Sequence, residues 1–81
     1  GRFLVQVDGH ANVCDYRLVG PVMHLVHTEV HPSLEGRGIA AALVAAAVAH
    51  ARVHGLQVLP RCSYVRAWLR RHAEHADLLA T

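Results

Sequence analysis

The feature that most constrains this chain is a pair of glycines that leads into a long apolar run. An apolar strand ending near Val30 is followed by a proline turn, by Gly36-Arg37-Gly38 and by an alanine-rich stretch. A helix that begins directly after such a turn leaves its first N–H groups without intrahelical acceptors. Those groups and the positive end of the helix dipole favour a bound anion. The alternative is a plain helix start, in which the glycines only turn the chain.

The residues before this stretch predict a three-stranded antiparallel meander. Alternating apolar residues place the strands at about residues 2–7, 11–19 and 22–30. Asp8-Gly9 between the first two runs is typical of a tight hairpin, and Gly20-Pro21 turns the chain again. In the second strand the alternation puts Cys14 on one face of the sheet and Arg17 on the other.

The glycines are followed by a predicted helix and a fourth strand. The helix runs from about Gly36 to His54, with Gly55 as its C-terminal cap. Because it is apolar on most sides, we expect both the sheet and a further element to cover it. Residues 56–60 then form a short strand, which lies parallel to the third because a helical crossover joins the two.

A second helix is predicted near the C-terminus. Ser63 can cap it, and it extends from Tyr64 to about His72. Residues 73–81 form a tail whose Leu78-Leu79 pair can dock on the core. The fold class is therefore α+β: an antiparallel meander, a long helix, a parallel fourth strand and a C-terminal helix.

Length and charge narrow the possible functions. The 81 residues suffice for one domain over 1–81, and the net charge of +2 does not by itself imply nucleic acid. The longest uncharged apolar run, Gly38–Ala49, would span about 18 Å as a helix. A bilayer core of about 30 Å is wider, so we expect no membrane span.

With no signal-peptide pattern and no disulfide framework, we expect a cytoplasmic protein with free thiols. The bias towards arginine and alanine would suit a GC-rich bacterial genome.

The glycine pair also matches a loose dinucleotide-binding pattern, Gly36-x-Gly38-x-x-Ala41. The antiparallel strands before it, the short chain and the lack of an acidic residue about 20 positions later argue against that fold. A lysine-containing phosphate-binding loop is also missing. The expectation that remains is an anion site at the start of a helix.

Four spaced segments of the chain resemble the GNAT acetyltransferase superfamily, and more narrowly its small, single-domain YjdJ-type branch. Glu35-Gly36-Arg37-Gly38-Ile39-Ala40 resembles the superfamily motif [QR]-x-x-G-x-[GA], with Glu35 in place of the usual glutamine or arginine. The other matching segments lie at residues 27–30, 58–65 and 69–72. Together the matches cover about residues 24–78 in the expected order, and they imply a truncated GNAT-like fold.

The resemblance implies that the chain binds acetyl-CoA as co-substrate. The backbone of residues 36–40 (Gly36, Arg37, Gly38, Ile39 and Ala40) would hold the pyrophosphate, with Arg37 near it. The strand end at Glu29 and Val30 would pair with the pantetheine arm. That arm would lie where the fourth strand splays from the third. Residues at the start of the last helix complete the expected coenzyme site: Cys62, Ser63 and Arg66.

Three residues are candidates for the chemistry. A thiol at a helix N-terminus among arginines is expected to have a lowered pKa, so Cys62 could accept an acyl group, act as a base or line the thiol pocket. Glu29 is a candidate general base for an ammonium substrate, and Tyr64 a candidate proton donor to the departing thiolate. The plainer alternatives are packing for Cys62 and Tyr64 and a surface ion pair for Glu29. For the mid-strand Cys14, packing is expected.

Metal and nucleic acid are not expected. The eight histidines include pairs three or four residues apart, but no HExxH motif or paired cysteines at zinc spacing occur. Four arginines lie near the C-terminus and could meet the coenzyme 3′-phosphate, an acidic substrate or nucleic acid, or form a solvated face: Arg61, Arg66, Arg70 and Arg71. The few aromatic residues form no stacking pattern for single strands.

The sequence thus predicts an acetyl-CoA-dependent N-acyltransferase acting on an amine. The alternative is a coenzyme A-binding or protein-interaction module with little activity. Because so short a chain lacks the elements that build an acceptor site in larger GNAT enzymes, a second copy or a protein substrate could complete it.

Overall fold

The computed structural model describes residues 1–80, so the last residue of the predicted tail, Thr81, lies outside the described part. The elements follow in the order β1 (Arg2–Val7), β2 (His10–Val19), β3 (Val22–Glu29), a 3₁₀ turn (Pro32–Leu34), α1 (Ile39–Val53), β4 (Gln57–Pro60), α2 (Ser63–Arg71) and a 3₁₀ segment (Ala73–Leu78). This order agrees with the predicted α+β architecture.

The four strands form one mixed sheet in the order β1-β2-β3-β4. The first three are antiparallel and β4 is parallel to β3, as predicted. The hairpin between β1 and β2 turns at Asp8 and Gly9, whose φ angles of 51° and 78° are both left-handed. A two-residue turn with both central φ angles positive matches the twist of the flanking strands, which is why Asp-Gly predicted it.

Two helix starts differ from the prediction. Helix α1 begins at Ile39 rather than near Gly36, because Gly36 and Gly38 have left-handed φ angles of 81° and 78° that a right-handed helix cannot contain. Helix α2 begins at Ser63, and its N-cap is Cys62. The prediction that Ser63 is the cap was therefore wrong by one residue.

Both helices contribute to a single core on one face of the sheet. The buried cluster comprises Cys14, Met23, Leu25, Leu43, Val44, Ala47, Val48, Ala51, Val58, Val65, Trp68 and Leu69. As predicted, α1 contacts the sheet and a further element, since α2 and the 3₁₀ segment pack beside it. One face of α1 nevertheless remains exposed, and it carries alanines at 42, 45, 46 and 49. Alanine has little apolar surface to bury, so this exposure has a small cost.

The C-terminal tail docks on the core, as predicted. The guanidinium of Arg52 on α1 donates to both carboxylate oxygens of Asp77 at 3.0 Å. The N–H of Ala80 donates to the carbonyl of Val58 at 2.9 Å. These contacts hold the leucine pair partly buried against the core.

The opposite face of the sheet, which we call the open face, carries the alternate strand residues. Its register pairs include Leu4 with Val13, Arg2 with Asp15, and Arg17 with His24. Both helices pack on the other face, where the buried cluster lies. In the part of the chain that the structure describes, no helix covers the open face, and Leu4 keeps 53% of its surface exposed.

A β-bulge interrupts β3. The register pairs Asp15 with His27 but Tyr16 with Leu25, so Val26 has no partner in β2. A bulge adds one residue to one strand and bends it. As a result Val26 and His27 both project on the open face, and Thr28 returns to the core face opposite Cys14.

Candidate functional site

A cavity lies where β3 ends and α1 begins. Its volume is about 540 Å³, within the range of small-molecule sites. It is lined by Thr28, Glu29, Val30, Leu34, Glu35, Gly36, Gly38, Ile39, Ala40, Ala41 and Tyr64. We call it the α1 cavity. It contains most of the residues that the sequence placed at a coenzyme site.

The glycine turn exposes backbone N–H groups at one end of the α1 cavity. The first hydrogen bond into the helix runs from Ala42 N–H to the carbonyl of Gly38. Within residues 1–80, the N–H groups of residues 36–41 donate to no protein acceptor. No atom lies within 4 Å of a Cβ built on Gly36 or Gly38, so space is open above the turn. Free N–H groups at a helix N-terminus suit a phosphate or pyrophosphate.

The two charged side chains of this turn do not reinforce its positive end. Arg37 turns away from the α1 cavity, and its Nη1 donates to Oδ2 of Asp8 at 3.0 Å. Glu35 lines the cavity with a carboxylate. Among the predicted coenzyme residues 36–40, Arg37 does not line the α1 cavity. The attraction for an anion rests on the backbone.

The strands β3 and β4 separate at the other end of the α1 cavity. Their ladder ends at the pair Leu25 and Pro60, while β3 continues to Glu29. The carbonyl of Leu25 accepts the N–H of Arg61 at 2.9 Å and that of Cys62 at 3.3 Å. Beyond this point β3 runs on without a partner on its β4 side. Such a gap leaves room for an extended ligand to lie along β3.

Cys62 occupies the N-cap of α2, half-buried beside this gap. Burial alone would raise the pKa of its thiol. The nearby N–H groups of Val65 and Tyr64, together with Thr28, stabilise the thiolate enough to outweigh burial and hold the pKa below its usual value. The Thr28 hydroxyl itself donates to Sγ of Cys14 at 3.9 Å. The direction is the one expected from the sequence, but its cause is the helix N-terminus and Thr28 rather than neighbouring arginines. Burial raises the pKa of Cys14, which stays a core thiol.

Glu29 stands at the exposed rim of the α1 cavity. Its Oε1 lies 3.1 Å from Nε2 of His27, on the open face. The structural alternative for Glu29 was a surface ion pair with an arginine, but its partner in the structure is His27. Tyr64, 38% exposed, lines the same cavity from α2. A carboxylate and a phenol thus line the α1 cavity, and an imidazole lies beside the carboxylate. Each of these groups can transfer a proton.

A model of the GCN5-related N-acetyltransferases matches residues 2–78. The chain belongs to this family. Its fold is also similar to the NMR solution structure of a GCN5-like protein from Staphylococcus aureus, with a TM-score of 0.73 and 24% identity. That match covers 96% of this chain and 87% of the other. The GNAT resemblance and the fold predicted from it are thereby confirmed.

This GCN5-related chain brings together most of the predicted site residues. Glu29, Tyr64 and the predicted backbone positions 30, 36 and 38–40 share the α1 cavity. Cys62 lies behind Thr28 rather than on the cavity wall. Ser63 is an exposed first residue of α2, and Arg66 donates to the carbonyl of Arg61 at 3.2 Å.

Two features of the site were not found in the sequence. Thr28 joins the α1 cavity to Cys62, but only the bulge turns it inward. Asn12 is fully buried, and its Oδ1 accepts the N–H of His31, which holds the chain as it leaves β3. A lone asparagine within an apolar strand could have indicated this network, because a buried amide needs partners.

In the described part of the chain, residues 1–80, His, Cys, Asp and Glu side chains form no group of three or more suited to a metal ion. Over the same residues, helices are too short or too polar to cross a bilayer.

Proposed function

We propose that this chain is an acetyl-CoA-dependent N-acyltransferase that transfers an acetyl group to an amine. The observation that carries the proposal is the α1 cavity, which connects the free N–H groups of the glycine turn to the gap between β3 and β4. The end of β3 thus links the glycine turn, where a phosphate would bind, to the gap, where a thioester would lie. The cytoplasm, where thiols stay reduced, is the compartment that we propose.

The coenzyme would be held mainly by backbone groups. The N–H groups of Gly36, Gly38 and Ala40 face the region where a pyrophosphate would lie. The end of β3 at Glu29 and Val30 offers main-chain groups to the pantetheine arm. Ser63 and Arg66, at the start of α2, would contact the coenzyme from the far side of the gap. Because the site uses backbone donors, Glu35 in the motif's first position is a mild electrostatic cost rather than a lost contact.

The transfer requires one bond to form and one to break. The amine nitrogen attacks the thioester carbonyl carbon, an N–C bond forms and the C–S bond breaks. Glu29, paired with His27, would take the proton that the amine loses, and Tyr64 would supply one to the departing thiolate. N–H groups at the end of β3 near Val30 would stabilise the oxygen anion that develops.

Cys62 offers a second route to the same products. Its thiolate would attack the thioester first, coenzyme A would leave, and the amine would then take the acetyl group from sulfur. The two routes differ in their need for the thiol. Replacing Cys62 by alanine abolishes turnover in the second route and leaves it in the direct one.

Calorimetry with coenzyme A tests the proposal, with Gly38→Ala as the informative variant. An alanine at φ 78° is strained and adds a methyl group at the turn, so coenzyme affinity should fall at least tenfold. Gly20→Ala is the matched control, because Gly20 also has a left-handed φ of 57° with no atom within 4 Å of an added Cβ. It lies in the β2–β3 turn, away from the α1 cavity.

No heat and no thermal shift at millimolar coenzyme A would contradict the proposal. Tight binding without release of free coenzyme A thiol across an amine panel would instead favour the binding or interaction module.

A further inference from the structure

A second pocket lies on the open face, next to the point where β3 and β4 separate. Its volume is about 380 Å³, and its walls are Arg17, Val19, His24, Val26 and Arg61. We call it the open-face pocket. It is distinct from the α1 cavity, which opens at the start of the helix.

Three neighbouring strands bring the polar groups of this pocket together. Arg17 on β2 pairs in register with His24 on β3. Arg61 follows the last residue of β4, and its Nη1 lies 3.4 Å from Nδ1 of His24. The two guanidinium groups therefore flank one imidazole across the sheet.

The open-face pocket has an unbalanced positive charge. Elsewhere Arg2, Arg37 and Arg52 each form an ion pair with an aspartate. Within residues 1–80 neither Arg17 nor Arg61 has a carboxylate partner. The nearest carboxylate along β2 on this face, Asp15, is held by Arg2 at 2.6 Å. Guanidinium groups bind carboxylate and phosphate through paired hydrogen bonds, so the pocket suits such an anion.

The pocket lies beside the chemistry of the proposed function. Arg61 directly precedes Cys62, and Val26 is the bulged residue of β3. The His27–Glu29 pair continues along the same face of the same strand. His24 and the proposed base Glu29 are five residue steps apart on β3, roughly 16 Å along the strand. The Glu29 carboxylate lies 3.1 Å from His27, which is nearer to the pocket. An acceptor on the open face can therefore reach the proposed base with one end and the arginines with the other.

We propose that the amine acceptor carries an anionic group, a carboxylate or a phosphate, and that the open-face pocket holds it through Arg17 and Arg61. This inference rests on the proposed N-acyltransferase activity and names the substrate class. The enclosed volume fits a small molecule. The anion positions the amine nitrogen beside Glu29, opposite the gap where the thioester arrives.

Matched amines test the inference with the complete chain and acetyl-CoA. The carboxylate arm compares 6-aminohexanoate with pentylamine, and the phosphate arm compares 4-aminobutyl phosphate with 4-aminobutanol. Release of coenzyme A thiol gives kcat/KM for each. The anionic member of at least one pair should be preferred tenfold or more, and the arm that shows the preference identifies the anion.

Arg17→Gln should reduce that preference to near one, mainly through KM. The charge-matched control is Arg52→Gln, which removes one positive charge at the far end of α1 and should leave the preference unchanged. Calorimetry with coenzyme A on each variant separates the acceptor site from the coenzyme site.

Three outcomes would overturn the inference. If both members of each pair have the same kcat/KM and coenzyme A binds normally, the acceptor needs no anionic group, and the proposed acyltransferase activity still stands. If only an acidic peptide is acetylated and none of the four small amines is, the acceptor is not a small molecule. Absence of coenzyme A binding removes the proposed function and this inference with it.

Discussion

Replacing Asn12 by alanine should destabilise the fold strongly. This amide is 0% exposed. Its Oδ1 accepts the N–H of His31 at 2.9 Å. Its Nδ2 donates to the carbonyls of His10 at 3.1 Å and Val5 at 3.3 Å. One side chain therefore ties the first hairpin to the segment that leads from β3 to the glycine turn.

The expected size of the effect follows from these three bonds. A net hydrogen bond contributes about 0.5–1.5 kcal/mol, and a buried group left unpaired costs about 1–3 kcal/mol. Losing the amide should therefore lower the free energy of unfolding by about 2–4 kcal/mol. A chain of this length has a total of only about 4–12 kcal/mol. At about 4–8 °C per kcal/mol, Tm should fall by roughly 10–30 °C.

Urea unfolding followed by circular dichroism measures this loss. Gln6→Ala is the control, since Gln6 is an exposed strand amide on β1, and it should change the free energy of unfolding by under about 0.5 kcal/mol. A loss for Asn12→Ala as small as that of the control would refute the reasoning, because it would mean that water replaces all three bonds.

Three further predictions concern the site and the tail. Because its pKa is lowered, Cys62 should react with iodoacetamide at a lower pH than free cysteine does, while buried Cys14 stays unlabelled by mass spectrometry; equal labelling of both would contradict this. Glu29→Gln should lower kcat about 100-fold without changing coenzyme A affinity, and an unchanged kcat would assign proton removal to another group. Asp77→Asn should lower the urea midpoint only slightly at low salt and not at all at high salt, because its ion pair with Arg52 is exposed. A large loss that does not depend on salt would contradict this reasoning.

The sequence predicted those parts of the fold that local chemistry determines. Asp8-Gly9 has one favourable hairpin geometry, and the strand alternation put Cys14 and Arg17 on opposite faces. The glycine turn was found for the same reason, although its length was underestimated because two left-handed residues delay the helix to Ile39.

What the sequence did not predict depends on tertiary neighbours. Nothing local indicates that Arg37 pairs with Asp8, which is 29 residues earlier. The cap at Cys62 also depends on tertiary structure, because the carbonyl of Leu25 fixes the backbone where α2 begins. The roles of Glu29, Cys62 and Tyr64 are predictions, and the experiments above test the first two.

The bulge at Val26 determines which face of the sheet each later residue of β3 points to. If β3 kept Val26 but paired without a bulge, strict alternation from Leu25 would direct His27 and Glu29 towards the helices and Thr28 towards the open face. Thr28 could then not reach the Cys62 thiol, and the carboxylate would be buried without water. One unpaired residue thus separates two kinds of side chain onto opposite faces of a single strand: the face with the thiol, where we propose the coenzyme, and the face with the His27–Glu29 pair, where we propose the amine. Deleting Val26 should remove the bulge and keep His27, Thr28 and Glu29 on their present faces, because His27 would then directly follow Leu25.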